Sequence, residues 1–160
     1  MGENICCFSG HRDTPERIRT AIALSIENHI LRYGVTDFLV GHYGNFDQMS
    51  KSAVSAAKKK YPEVKLHLML AYLPEGHKPD DWRDFDDLLF PEGQETVPAR
   101  AAIPRLNREM IDRSGFLIAY VRHVSGGSYQ SLHYAREREK RGFLRITNLA
   151  EKGDGGLSRL

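Results

Sequence analysis

Apolar positions along the chain fall into two alternating periods, short continuous or every-other-residue runs and stripes at helical spacing, and this alternation sets the expected architecture. Ile5, Cys6, Cys7 and Phe8 form a buried-strand run that stops at Ser9-Gly10, where the backbone can turn sharply. Asp13 or Thr14 as N-cap and Pro15 at the first helical position then open a helix. Its buried stripe is Ile18, Ile22, Ile26 and Ile30, with Ala21 and Tyr33 beside it, and Gly34 ends it in the C′ position. Phe38-Leu39-Val40 is a second strand; from about Asp47 a helix carrying Met49, Ala53, Ala56, Ala57 and Tyr61 follows, closed by Pro62. Residues 64–72 alternate apolar and more polar side chains, as in a third strand at a sheet edge.

Between residues 74 and 102 the periodicity fails, broken by Pro74, Gly76, Pro79, Pro91, Gly93 and Pro98 around Trp82, Phe85 and Phe90. A connection this long in a compact domain reads as a lid-like insertion. Pro104 opens a further helix with Leu106, Met110 and Ile111 on its apolar face, leading to residues 116–121, a run with no polar face that suits a central parallel strand. After Ser125-Gly126-Gly127-Ser128 comes a helix with Tyr129, Leu132 and Ala135, then Gly142, a fifth strand at residues 143–146, and a tail at 148–160 expected to be flexible. The expected fold is α/β: one doubly wound parallel sheet of about five strands in the order 3-2-1-4-5, helices on both faces, one domain over residues 1–147.

That order places the ligand crevice at the carboxyl ends of strands one and four, where the order reverses. Three glycine-bearing turns meet there: Ser9, Gly10, His11 and Arg12; Gly41, Gly44 and Asp47; Gly126, Gly127 and Ser128. Glycines permit close approach to a phosphate, a helix N-terminus favours an anion, and Arg12 adds a fixed charge. Asp47 is placed to accept from ribose hydroxyls. His11, His42 and His123 also follow strands, but no close-spaced ligand pair accompanies them, so no metal is expected. The dinucleotide glycine signature is absent after strand one, and no cofactor is expected.

The 160 residues suit one domain, and the net charge of +2 with no long single-sign run argues against nucleic acid as a partner. The start MGENICC lacks a basic region and a long apolar core, and no run reaches membrane-spanning length, so a cytoplasmic protein with no membrane contact is expected. Cys6 and Cys7 are adjacent in a strand and point to opposite faces, as buried thiols rather than a disulfide. A homo-oligomer is compatible with the sequence.

The motifs in their order carry a resemblance. SGHR after strand one, G-x-x-G-x-x-D from Gly41 to Asp47, N-x-x-M-I-D-x-S from Asn107 to Ser114, and a Gly-Gly-Ser loop before Tyr134-Ala135 resemble the SLOG superfamily of Rossmann-like domains. Within it they look like the YpsA-like branch, related to DprA and to the LOG phosphoribohydrolases, over about residues 5–146. The resemblance implies a nucleotide or nucleotide-derivative ligand, with Asn107 joining the binding set and the protein acting as a sensor or regulatory domain. Its alternatives are a nucleotide N-glycosidase and a DprA-like binder of single-stranded nucleic acid. For the glycosidase the chain departs from the LOG pattern: Leu132 and His133 stand where its two acids fall and Leu106 where its Arg falls, leaving Asp47 as the candidate catalytic carboxylate and Arg105 or Arg108 as substitute cations.

Overall fold

The computed structural model describes residues 2–76 and 80–150. Six parallel strands form one sheet: β1 (Ile5–Gly10), β2 (Asp37–Val40), β3 (Lys65–Met69), β4 (Asp87–Leu89), β5 (Phe116–Tyr120) and β6 (Arg145–Asn148), in the spatial order β4-β3-β2-β1-β5-β6. Four α-helices cover it: α1 (Arg19–Tyr33) and α2 (Asn45–Lys60) on one face, α3 (Ala99–Arg113) and α4 (Gly127–Lys140) on the other. Strand alternation divides the adjacent cysteines between the two cores, Cys6 with Phe8, Phe38 and Ile22, Cys7 with Leu106, Leu117 and Leu132. Both thiols are free, and burial pushes their pKa values up, that of Cys7 to about 12. The α1 stripe is buried throughout, and Gly34 takes φ 70° as the residue that ends the helix. Each such fully buried aliphatic side chain contributes about 1.5–3 kcal/mol.

Several expectations are corrected. The sheet has six strands, not five: residues 87–89, inside the segment read as a lid-like insertion, pair with β3 through His67 and Asp87, Leu68 and Leu88, Met69 and Leu89. β3 is therefore interior, and its polar His67 is held by Asp37, Nε2 to Oδ2 at 2.7 Å. The first helix lacks the expected cap. The Thr14 hydroxyl donates to the His11 carbonyl at 2.6 Å, closing a turn, and a 3-10 turn at Glu16–Ile18 precedes α1. α1 thus starts at Arg19, later in the chain than the helix start at Pro15 that the sequence predicts. α3 begins at Ala99 after Pro98, so Pro104 lies within the helix instead of opening it, at an exposed position where its missing N–H leaves no buried carbonyl stranded.

The supposed tail from residue 148 begins inside the domain. The buried Asn148 side chain bonds both backbone groups of Val121, accepting from the N–H at 3.1 Å and donating to the carbonyl at 3.2 Å. Leu149 is buried and its N–H bonds the Ala119 carbonyl. The rest of that segment, 151–160, lies outside the described residues.

Candidate functional site

The connection from β1 leads to β2 on one side, while β5 and β6 lie on the other, so the strand order reverses between β1 and β5. At the carboxyl ends of these two strands is a cavity of about 90 Å³. Of the expected binding residues, Ser9, Gly10, Arg12, Asp47, Asn107, Gly127 and Ser128 line it; His11, Gly41, Gly44 and Gly126 do not. Phe8, Tyr43 and Ile103 complete the wall. Ile103 carries no signal in the sequence beyond its place one helical turn before Asn107.

The glycines turn out to differ in what they accommodate. A Cβ on Gly10 would stand 2.2 Å from the Phe46 ring, and one on Gly41 3.1 Å from the Asp47 carboxylate. Gly44, at φ 141°, would press 2.6 Å from Arg12 Cα. At these three positions the close approach is made by the protein's own atoms, which bind the first two turns together; the Asn45 N–H to the Arg12 carbonyl, 2.9 Å, completes that contact. Gly126 (φ 96°) and Gly127 have nothing within 4 Å of a Cβ, so the backbone entering α4 is the part of the site open to an approaching group.

His11 is buried and committed. Its Nε2 accepts the backbone N–H groups of Arg122 (2.8 Å) and His123 (3.3 Å), tying the turn after β1 to the turn after β5. A nitrogen that accepts two N–H bonds carries no proton, and burial, with His123 next in effect, holds the His11 pKa below the ordinary histidine value. The Ser128 hydroxyl donates to the Gly10 carbonyl at 2.9 Å and makes a second tie. His11 and Ser128 therefore act first as pins that register the two loops.

Asp47 sits in the first turn of α2 and accepts the Tyr43 N–H at 2.9 Å. Burial pushes its carboxyl up to about 6, against the opposing pull of that N–H and of Arg12. Such a group changes charge near neutrality and is the only carboxylate lining the cavity. A carboxyl raised in the native state holds a proton that the unfolded chain releases between about pH 4 and pH 6. Its contribution to stability is present below that window and lost as pH rises through it. Asp47→Asn removes the loss: in thermal unfolding at a series of pH values, the variant's melting temperature gains on the parent's from about pH 4 to pH 7. A difference that stays flat across that range would place the carboxylate in solvent.

The residues standing at the LOG-type acid positions do not reach the cavity. Leu132 is buried in the core and His133 is exposed on α4. The substitute cations are engaged elsewhere: Arg105 donates to the Gln94 side chain at 2.8 Å and to the Glu92 carbonyl at 3.0 Å, and Arg108 lies 5.8 Å over the Tyr134 ring. Buried Gln94, which the sequence reading passed over, also donates to the carbonyls of Ala71 and Ala102, fastening part of the 74–102 segment to the end of β3 and to α3. In the same segment the Trp82 ring stands edge-on to His42 at 5.2 Å, and His42 lies 4.2 Å from Tyr43. Among the described residues no group of three or more His, Cys, Asp or Glu side chains is disposed to hold a metal ion, and no helix is long and apolar enough to cross a membrane.

No protein-family model and no curated protein matches the chain by sequence. Among solved structures it is similar to DNA processing protein A (DprA) from Streptococcus pneumoniae, with a TM-score of 0.64 and 14% identity over 96% of this chain and 54% of that one. It is also similar to DNA processing protein A from Helicobacter pylori, with a TM-score of 0.61 and 11% identity over 99% of this chain and 81% of that one. The chain spans about half the length of the Streptococcus protein. The Helicobacter protein has a single-stranded DNA binding mode, and this overturns the expectation that a small net charge argues against nucleic acid. Net charge is an average over the whole surface, whereas a bound strand meets one edge of it. The fold is the Rossmann-like α/β fold of the DNA processing A proteins.

Proposed function

We propose that this chain binds single-stranded nucleic acid across the carboxyl edge of its sheet, with one backbone phosphate seated between Arg12 and the open backbone of Gly126-Gly127. The observation that carries the reading is the size of the cavity. At about 90 Å³ it is well below the roughly 300–1,000 Å³ of pockets that enclose a whole small molecule, yet it opens onto a glycine backbone with free space beside it. A polynucleotide needs no enclosing pocket, because successive phosphates and bases spread over a surface. The positive end of α4, which starts at Gly127, and the exposed Arg12 supply the attraction for phosphate. The motif resemblance to the SLOG superfamily, and within it to the YpsA-like branch, is compatible with this assignment.

A free nucleotide-derived ligand is the second reading, favoured by Asp47 and Asn107 in the same wall, two side chains suited to ribose hydroxyls. N-glycosidic cleavage is not expected, since Asp47 would have to act without the second acid that the LOG arrangement supplies. Fluorescence anisotropy with a labelled oligothymidylate separates the readings. The proposal predicts tighter binding to the single strand than to a duplex of equal length, with log K falling linearly in log salt. No binding at low salt overturns it, and displacement of the strand by equimolar mononucleotide would favour the second reading.

A further inference from the structure

A second cavity, of about 600 Å³, lies at the opposite edge of the sheet, at the amino ends of β5 and β6. Its volume is within the range of sites that enclose a small molecule. Tyr33, Phe116, Phe143, Arg138 and Arg145 bring three rings and two guanidinium groups into its wall. Tyr33 stacks on Phe116 with centroids 5.2 Å apart and planes 21° from parallel, and the Arg145 guanidinium lies 4.6 Å over the Tyr33 ring. Phe143 is 54% exposed, with Arg138 and Arg141 at 5.2 and 5.6 Å from its ring.

The acids at this cavity are already engaged. Asp112 accepts the Tyr134 hydroxyl at 2.6 Å and pairs with Arg138 at 3.4 Å, and Glu3 accepts the Gly2 N–H at 3.0 Å. Arg141 and Arg145 make ring contacts but no ion pair among the described residues. The charge left unanswered is positive. Offsetting the dipole at the end of α4 accounts for Arg138, in its last turn, but not for Arg145 on β6 or for an exposed phenylalanine. Aromatic faces beside uncommitted guanidinium groups suit a planar ring that carries an anion.

We infer that this cavity is a second ligand site, for a nucleoside monophosphate or an anion of that size, whose base stacks at the exposed ring of Phe143 and whose phosphate is met by Arg145, which the Tyr33–Phe116 stack holds in the wall. It is independent of the strand-binding edge and of Arg12. Titration of isotope-labelled protein with AMP, adenosine and inorganic phosphate, followed by amide shifts, tests it. AMP is expected to give saturable shifts at Phe116 and at residues 142–145, with adenosine and phosphate each binding more weakly. Arg145→Ala should weaken AMP by about tenfold or more, as loss of a charge-assisted contact does, while Arg12→Ala leaves these shifts unchanged. Arg145→Lys keeps the charge without the planar stack and gives a smaller loss; it also serves if the alanine variant does not fold. The inference is overturned by no shift at these amides with millimolar AMP, by adenosine or phosphate alone binding as tightly as AMP, or by a loss that follows Arg12 instead of Arg145.

Discussion

Gly10→Ala is expected to destabilise the protein by about 3 kcal/mol, at the upper end of overpacking costs, although the substitution is small and the backbone there is ordinary extended strand. A Gly-to-Ala change at a compatible position usually gains about 0.4–1 kcal/mol by restricting the unfolded chain. Here the added carbon would stand 2.2 Å from the Phe46 ring, inside van der Waals contact, and Phe46 has nowhere to go. It is 1% exposed and packs edge-on against Phe8 with centroids 6.3 Å apart. Steric cost therefore exceeds the entropic gain. Denaturant unfolding of Gly10→Ala, Phe46→Ala and the double variant checks the cause: the two changes should be strongly non-additive, the double variant costing less than the sum. Additive losses would mean that the ring is not what Gly10 accommodates.

Arg12→Ala carries the largest expected effect on binding. Removing the guanidinium should weaken a single-stranded oligonucleotide by about 1.5–3 kcal/mol, the range for a charge-assisted hydrogen bond, and lower the salt slope by about 0.7 for one lost phosphate contact. Stability should hardly change, because Arg12 is exposed and its structural contributions come from backbone. Its carbonyl accepts the Asn45 N–H, and its Cα fills the space beside Gly44; both remain in alanine. Loss of the cation also removes one influence holding the Asp47 pKa down, so that carboxyl should titrate still higher in the variant. A variant that binds as before with the same salt slope would exclude Arg12 from phosphate contact, and one that unfolds would make it a structural residue.

The parts of the fold set by local pattern were legible in the sequence. The Ile18, Ile22, Ile26 and Ile30 stripe and the unbroken run at residues 116–121 need only their own spacing to be recognised, and all but the half-buried Phe116 are buried as the pattern requires. β4 was hidden for the opposite reason. Its three residues sit among aspartates and become a strand only through a ladder to β3 some twenty positions earlier in the chain. The start of α3 was obscured by Pro104, whose ring usually marks a boundary but is tolerated on an exposed side of the helix.

The place where the loops meet followed from the order of the strands, but the roles of individual residues within it did not. Gly10 and Gly44 have the spacing of ligand-binding glycines, yet each makes room for an internal contact, with Phe46 or Arg12. His11 stands in a motif that invites a ligand, and its Nε2 is occupied by two N–H groups more than a hundred residues away in sequence. Such pairings depend on which loops the sheet brings together, which spacing alone does not encode. Charge misled in a similar way, because a net value of +2 does not describe the carboxyl edge, where Arg12 stands beside the start of α4.

Titrating isotope-labelled protein with a short oligothymidylate and mapping the amide shifts tests strand binding at the carboxyl edge most directly. The account predicts that the largest changes fall at Ser9, Gly10, Arg12 and residues 126–129, that they weaken as salt is raised, and that Arg12→Ala suppresses them. No shifts at the carboxyl edge at low salt, or shifts there that do not weaken as salt is raised, would contradict it.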